Sequence, residues 1–285
     1  MPNVLDIRRR IRSVRNTQQI TKAMKMVSAA KLRRAQEAIL RARPYAGRIL
    51  EVVRSLMARS EIQRHPLLEE REEKNIQLVV VTADKGLCGA FNANIVKAAE
   101  GFIREKEDRS LDLFCVGRKG LDYFGKRTTP IRHRQINLFQ RIEYRHAREV
   151  TGKLVSQFLS GERDAVYLLY NEFKSVIQQR IVVERLLPIP PIELAPEQNP
   201  VDYIYEQPAA EILNTLMPRH VEVQVFRALL ESSAAEHGAR MTAMDAATNN
   251  AVEMIDSLTL TMNRARQAGI TKEIIEVVSG AAALT

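Results

Sequence analysis

From Val4 to Leu56 apolar residues recur at spacings of three and four: Val4, Ile7, Ile11 and Val14, then Leu32, Ala35, Ile39, Ala42, Ala46, Ile49, Val53 and Leu56. A second seam with that period runs near the other end, through Val223, Phe226, Leu230, Met244, Ala247, Ala251, Met254 and Leu258. The period predicts two coiled-coil helices, and their placement at opposite ends of the chain predicts that they pair antiparallel. Between them the period changes. Gln77–Thr82, Leu111–Val116, Ala165–Tyr170 and Arg180–Leu186 are β-branched or aromatic runs bounded by polar residues, with helical patterns over 92–107, 117–125 and 143–160. Such alternation predicts a small Rossmann-like α/β domain with a mostly parallel sheet, its last strand pair open to an antiparallel arrangement. The expected division is a helix over 1–60, an α/β domain over 61–187, a proline-rich connector over 188–208 and a terminal helix over 209–285. Asn3 is the expected cap of the first helix, Pro44 is expected to bend or break it near Arg43, and Pro218 to interrupt the last helix.

The lapses in the pattern carry as much information as the pattern. Continued through its middle, the first seam meets Gln18, Thr21, Lys25 and Ser28, all polar, while Ile20, Met24 and Val27 form a displaced apolar stripe. Two readings stand: a polar core layer that sets register, or a second contact surface for another protein, with Met24 and Met26 as adaptable side chains. The terminal helix has a polar stretch of its own, Ser233, His237 and Arg240. Facing the two polar stretches would bring positions 14 and 247 together and leave Met262–Thr285 unpaired. That segment, with Ile270, Ile274, Ile275, Val277, Val278 and the run ending at Leu284, is apolar round much of its circumference, which calls for enclosure by another protein.

Charge sharpens the picture. The net +9 is concentrated in residues 1–60, where 15 Lys and Arg face Asp6, Glu37 and Glu51 alone, while residues 209–285 are mildly acidic. The basic excess implies an acidic partner. No apolar run reaches the ~18 residues of a membrane span, and the basic N-terminal stretch lacks the apolar core of a secretory signal. Cys88 and Cys115 are in neither a CxxC nor a disulfide framework, as suits a reducing compartment.

Catalytic motifs are weak. Gly120–Lys126 follows a phosphate-loop pattern until Arg127 replaces the Ser or Thr that would hold magnesium, and its bulky Leu121, Tyr123 and Phe124 suit a short helix ending at Gly125. Thr82–Asn92 follows a strand and opens a helix, where α/β folds bind ligands, but it lacks GxGxxG spacing and reads as a structural turn. Asp84, Lys85 and Cys88 have no base at a telling spacing. The five histidines form no HxxxH or HExxH pair, so neither a metal site nor any cofactor is expected.

Three stretches carry a family resemblance: Ile7-Arg-Arg-Arg-Ile11 followed by Asn16–Lys31 (NTQQITKAMKMVSAAK); Asp84–Asn92 (DKGLCGAFN); and Glu222–Met241 (EVQVFRALLESSAAEHGARM), closing with Arg266–Ile274 (RQAGITKEI). In this order and spacing the chain resembles, over nearly its whole length, the gamma subunits of bacterial F-type ATP synthases. The resemblance implies a non-catalytic rotor, its terminal helices forming a shaft inside an alpha3beta3 hexamer. Its α/β domain would meet the epsilon subunit and the c-subunit ring, at the cytoplasmic face of the cell membrane and touching that membrane only through the complex. It implies beta-subunit contacts at Met24, Lys25 and Met26, at Arg8, Arg9, Arg33 and Arg34, and at Arg266 and Gln267. It also implies an apolar sleeve around Ile274, Ile275, Val277, Val278 and Leu284. The chloroplast type carries an inserted regulatory dithiol; this chain has no such insert, and Cys88 and Cys115 are not its equivalents. The rival reading is a basic coiled coil that binds nucleic acid. Against it, the basic residues lie all round the helix with no zipper fork or aromatic platform, so no nucleic-acid partner is expected.

Overall fold

A computed structural model describes residues 4–59, 65–176, 178–190 and 208–282. The chain divides into two compact units, one made of Met1–Ser28 with Arg240–Thr285, the other of Ala29–Ala239. Their boundaries cut through both terminal helices, α1 (Val4–Arg59) and α5 (Ala209–Ala282).

The larger unit is built on a five-stranded sheet. Its elements in chain order are β1 (Asn75–Val81), α2 (Phe91–Glu105), β2 (Ser110–Val116), α3 (Arg118–Phe124), β3 (Ile131–Gln135), α4 (Tyr144–Leu159), β4 (Ala165–Phe173) and β5 (Gln179–Leu187). Strand order is β3-β2-β1-β4-β5. β1 pairs in parallel with β2 and β4, and β2 with β3, whereas β4 and β5 are antiparallel. The apolar run Leu78–Val81 of β1 follows from burial on both faces. Ile76, Leu78 and Val80 pack with Ile95, Ala99 and Phe102 of α2 and Phe124 of α3. Val79 and Val81 join the other core, with Val150, Leu154 and Phe158 of α4, Val53 and Leu56 of α1, and Met217 and Val221 of α5. Each such fully buried large side chain contributes about 1.5–3 kcal/mol, so the C-terminal end of α1 and the N-terminal part of α5 belong to the domain core.

Three expectations are corrected. A fifth strand, β3, is present where no run was read: its sequence Ile-Arg-His-Arg-Gln alternates half-buried and exposed positions at a sheet edge, which leaves no apolar stretch to recognise. α1 continues as helix through Pro44, and α5 through Pro218. The lost hydrogen bond is outweighed by packing on either side, at Ile39, Ile49 and Val53 around Pro44 and at Leu213, Met217 and Val221 around Pro218. Residues 117–125 form a helix that closes at Gly125, as expected. The expected cap Asn3, most of the connector (191–207) and Leu284 lie outside the described residues.

In the smaller unit the seam of α1 holds through its polar stretch. Ile7, Ile11, Thr21 and Ser28 are buried, and Val14, Gln18 and Lys25 are half-buried. On α5 the facing seam passes through Met244, Thr248, Ala251, Ile255 and Leu258. Met254, expected inside, is 52% exposed. Polar Thr248 occupies a seam position there, so counting apolar residues alone shifts the stripe.

Candidate functional site

Above the ends of β1 and β4, where an α/β sheet would receive a ligand, the larger unit is filled by its own chain. Ala83, Cys88 and Phe91 pack with Ala235 and Ala239 of α5 and with Phe173, and Ser232 Oγ accepts the amide of Asn171. Asp84 is spent on structure: its carboxylate accepts the amides of Arg118 (3.0 Å), Asn137 (2.9 Å) and Phe139 (3.4 Å). Asn92 Oδ1 accepts the amide of Ala83 at 3.0 Å, and Thr82 Oγ1 accepts that of Gly120 at 2.8 Å. Gly117, at φ 93°, lets β2 turn into α3 so closely that a Cβ there would sit 2.0 Å from the Thr82 carbonyl oxygen. The Asp84–Asn92 stretch thus anchors α5 on the domain. Both cysteines are buried and unbridged, and burial pushes the Cys115 thiol up to about 12.

A second anchor ties α5 to the sheet. Arg227 Nη2 donates to Tyr170 Oη at 3.1 Å and to Glu184 Oε2 at 3.2 Å, and Glu231 lies at 4.0 Å from the same guanidinium. Burial pushes both carboxyls above their usual range, and the shared Arg227 only partly opposes it.

The smaller unit decides how the two readings of the polar seam relate. Thr21 Oγ1 lies 2.8 Å from Thr248 Oγ1, and Lys25 Nζ donates to Asp245 Oδ1 at 2.5 Å. The polar residues therefore face α5 and set its register, while Ile20, Met26 and Val27 are exposed on the outside. One stretch of helix thus sets the register on its inner side and presents an apolar face on its outer side. Position 21 meets 248 and 25 meets 245, so position 14 falls opposite about 255 and not 247, a correction of roughly 12 Å along the axis. Ser233 and His237 are buried within the larger unit. What sets the register is the Thr–Thr and Lys–Asp chemistry, and Asp245 and Thr248 are the partners that apolar spacing could not reveal.

The residues expected to meet a partner are brought to the surface, with one qualification. Arg8, Arg9, Arg33, Arg34, Arg266 and Gln267 are exposed, and Met24 is half-buried. Arg9 and Arg33 make only exposed pairs with Asp6 (3.8 Å) and Glu37 (3.2 Å), which hold such side chains by about 1 kcal/mol or less. Lys25 differs, because its ammonium already has Asp245. Beyond the reach of α1, every described residue from Ile270 to Ser279 is exposed. Ile274, Ile275, Val277 and Val278 are each 58% exposed or more, with no second helix against them among the described residues.

Comparison with known proteins resolves what this architecture belongs to. A protein-family model described as ATP synthase matches residues 3–284. The chain is 55% identical over 287 residues to the ATP synthase gamma chain of Solibacter usitatus, covering 99% of each. The chain belongs to the ATP synthase gamma chain family. The gamma chain of Pelotomaculum thermopropionicum is 50% identical, covering 100% of each. Among solved structures, a central-stalk chain of the Tetrahymena thermophila mitochondrial ATP synthase is similar at 26% identity. Its TM-score is 0.62, over 80% of this chain and 99% of that one. A chain of the Euglena gracilis mitochondrial ATP synthase rotor, at 19% identity and TM-score 0.66 over 94% and 98%, shares the fold. The nucleic-acid reading has no support in these matches. No helix among the described residues is long and apolar enough to cross a membrane.

Proposed function

We propose that this chain is the central-stalk rotor of an F-type ATP synthase, turning with the c-subunit ring and imposing successive states on the catalytic beta subunits. The observation that carries the reading is the whole-length match to gamma chains, and the helix pair fits it. The polar layer at Thr21 and Lys25 locks α1 to α5, so torque on one helix is delivered to both. The exposed face of Ile20, Met26 and Val27, the half-buried Met24 and the basic Arg8, Arg9, Arg33 and Arg34 are suited to alternating contacts with apolar and acidic surfaces of beta. Lys25 acts within the shaft through Asp245 and at its half-exposed edge meets beta. Arg266 and Gln267 engage a beta loop, and the apolar end of α5 turns in a sleeve formed by alpha3beta3. Coupling of this kind needs no catalytic group on the shaft: it shifts populations among states of the beta sites through differential contact. The α/β domain meets epsilon and the c ring, which puts the chain at the cytoplasmic face of the membrane, held there through the complex.

The test is reconstitution of the full chain with alpha and beta subunits. A 3:3:1 assembly whose ATPase rate depends on the chain is expected; failure to co-purify, or a rate indifferent to the chain, would overturn the reading. Within it, Arg266→Ala removes a charge-assisted hydrogen bond to beta of about 1.5–3 kcal/mol. It should lower coupled ATP synthesis in vesicles more than it lowers assembly.

A further inference from the structure

Two half-buried carboxylates, Glu184 of β5 and Glu231 of α5, share one guanidinium in the anchor that ties α5 to the sheet. A single nitrogen of Arg227, Nη2, serves Tyr170 Oη at 3.1 Å and both oxygens of Glu184 at 3.3 and 3.2 Å. On the other side Nε stops 4.0 Å from Glu231 Oε1, beyond hydrogen-bond reach. Both Arg227 Nε and Glu231 Oε2 are buried without a partner. The guanidinium is thus given to β5 and withheld from the carboxylate one turn further along its own helix, and in this placement it does not serve both. The neighbouring charges leave the imbalance in place. From β4 comes a third carboxylate, Glu172, which takes Lys174 at 2.8 Å and lies across from Arg180 of β5 in the strand register. From α4, Tyr144 donates to Glu222 of α5 at 2.6 Å. From α1, Arg43 lines the same small apolar cavity as Arg227 and Glu231, but it is exposed, where water and salt screen it. On α5 itself, two turns before Arg227, buried His220 is held toward its neutral form.

From this placement we propose that the anchor is a proton-operated joint: with a proton on Glu231, Arg227 belongs to β5 alone, and loss of that proton sets a second carboxylate in competition for Arg227 and loosens α5 on the sheet. Glu231 takes the proton because it lies farther from the guanidinium and its Oε2 finds no donor, whereas Glu184 has Arg227 and the Tyr170 hydroxyl. Burial, with Glu172 and Glu184 beside it, pushes the Glu231 carboxyl above 4.5, and Arg227 and Lys174 only partly oppose this. A folded-state value above the unfolded one means that folding takes up a proton. The contribution is fully present below 4.5 and is lost as pH rises through the raised value. His220, lowered by burial and by Arg227, has the opposite sign. The joint is therefore tightest in acid.

The experiment uses the full chain with carbon-13-labelled glutamate and follows the side-chain carboxyl carbons by NMR from about pH 4 to about pH 8. Hydrogen exchange of the Val223–Ala235 amides, corrected for the intrinsic exchange rate, is measured over the same range. The Glu231 carbon should titrate above 4.5 and above that of Glu184. Glu184→Gln should lower the Glu231 midpoint, because Arg227 then has one carboxylate to serve. Opening of the α5 segment should rise with pH through the Glu231 midpoint, by at most about tenfold per pH unit for one proton. Glu231→Gln, which keeps the shape of the protonated side chain, should hold the acid-side protection across the range. His220 titrates on its own ring resonances, so the two groups are separable, and since no partner is needed the outcome is independent of the rotor reconstitution. The proposal is overturned if the Glu231 carbon titrates at or below 4.5, if Glu184 takes the proton first, or if Glu231→Gln keeps the wild-type pH dependence of opening. Should Glu231→Gln not fold, the wild-type titration and Glu184→Gln decide: a Glu231 midpoint unmoved by Glu184→Gln overturns the sharing of Arg227.

Discussion

Replacing both hydroxyls of the Thr21–Thr248 contact should harm the helix pair less than replacing either one. The two oxygens are 2.8 Å apart, and each is also near a carbonyl of its own helix, Gln18 O at 3.0 Å for Thr21 and Met244 O at 2.7 Å for Thr248. Two hydroxyl protons must serve three contacts. The shortest chain has Thr248 donating to Met244 O and Thr21 donating to Thr248 Oγ1. Thr21→Val removes that donor and leaves a half-buried oxygen of Thr248 without its partner. Thr248→Val removes the acceptor and turns Thr21 back to Gln18 O. Each single change should cost about 0.5–1.5 kcal/mol, whereas exchanging both for Val, which keeps the shape, should be near neutral. The resulting coupling, the sum of the two single costs, is about 2 kcal/mol, a factor of roughly thirty in local opening. Hydrogen exchange of the Val14–Ser28 amides in the full chain reads it directly, and equilibrium unfolding in urea checks it. Additive single changes would refute the facing of 21 and 248, and with it the register; so would efficient cross-linking of cysteines placed at 14 and 247.

Three further outcomes follow from packing and titration. Gly117→Ala should destabilise the larger unit by about 3 kcal/mol or more in urea unfolding, because its Cβ meets the Thr82 carbonyl at a left-handed φ; wild-type stability would refute the close approach. Gly47→Ala, in an exposed turn of α1 with nothing within 4 Å of the new methyl, should stabilise by about 1 kcal/mol. His220 is buried, and burial, aided by Arg227, pushes its imidazole below the usual 6.5. Between that lowered value and 6.5 the unfolded chain binds more protons than the folded one, so this group's contribution is present above 6.5 and lost as pH falls through the window. His220→Gln should flatten that part of the stability–pH curve, and an unchanged slope would assign it elsewhere.

Much of the architecture was legible because it rests on local periodicity. Spacing of three and four identified both terminal helices, and the runs at Gln77–Thr82 and Ala165–Tyr170 marked strands buried on both faces. The quoted stretches at Asn16–Lys31, Asp84–Asn92 and Glu222–Met241 identified the family. β3 was illegible because an edge strand with arginines on its exposed side carries no apolar signal. Pro44 and Pro218 misled because a local penalty of about 3 kcal/mol is smaller than the burial of the several large side chains around it.

By itself the sequence determined that there are two seams, where they turn polar, that the positive charge is gathered on the first helix and that the end of the last one is apolar without an internal partner. Only the tertiary structure decided which polar residues meet. Register depends on pairs such as Lys25–Asp245 and Thr21–Thr248, separated by more than 200 residues and formed by polar side chains that leave no mark in a hydrophobic pattern. It also decided that Asp84 and Asn92 hold a turn and not a ligand, since a carboxylate that accepts three backbone amides is distinguishable from a catalytic one only when those amides are seen around it.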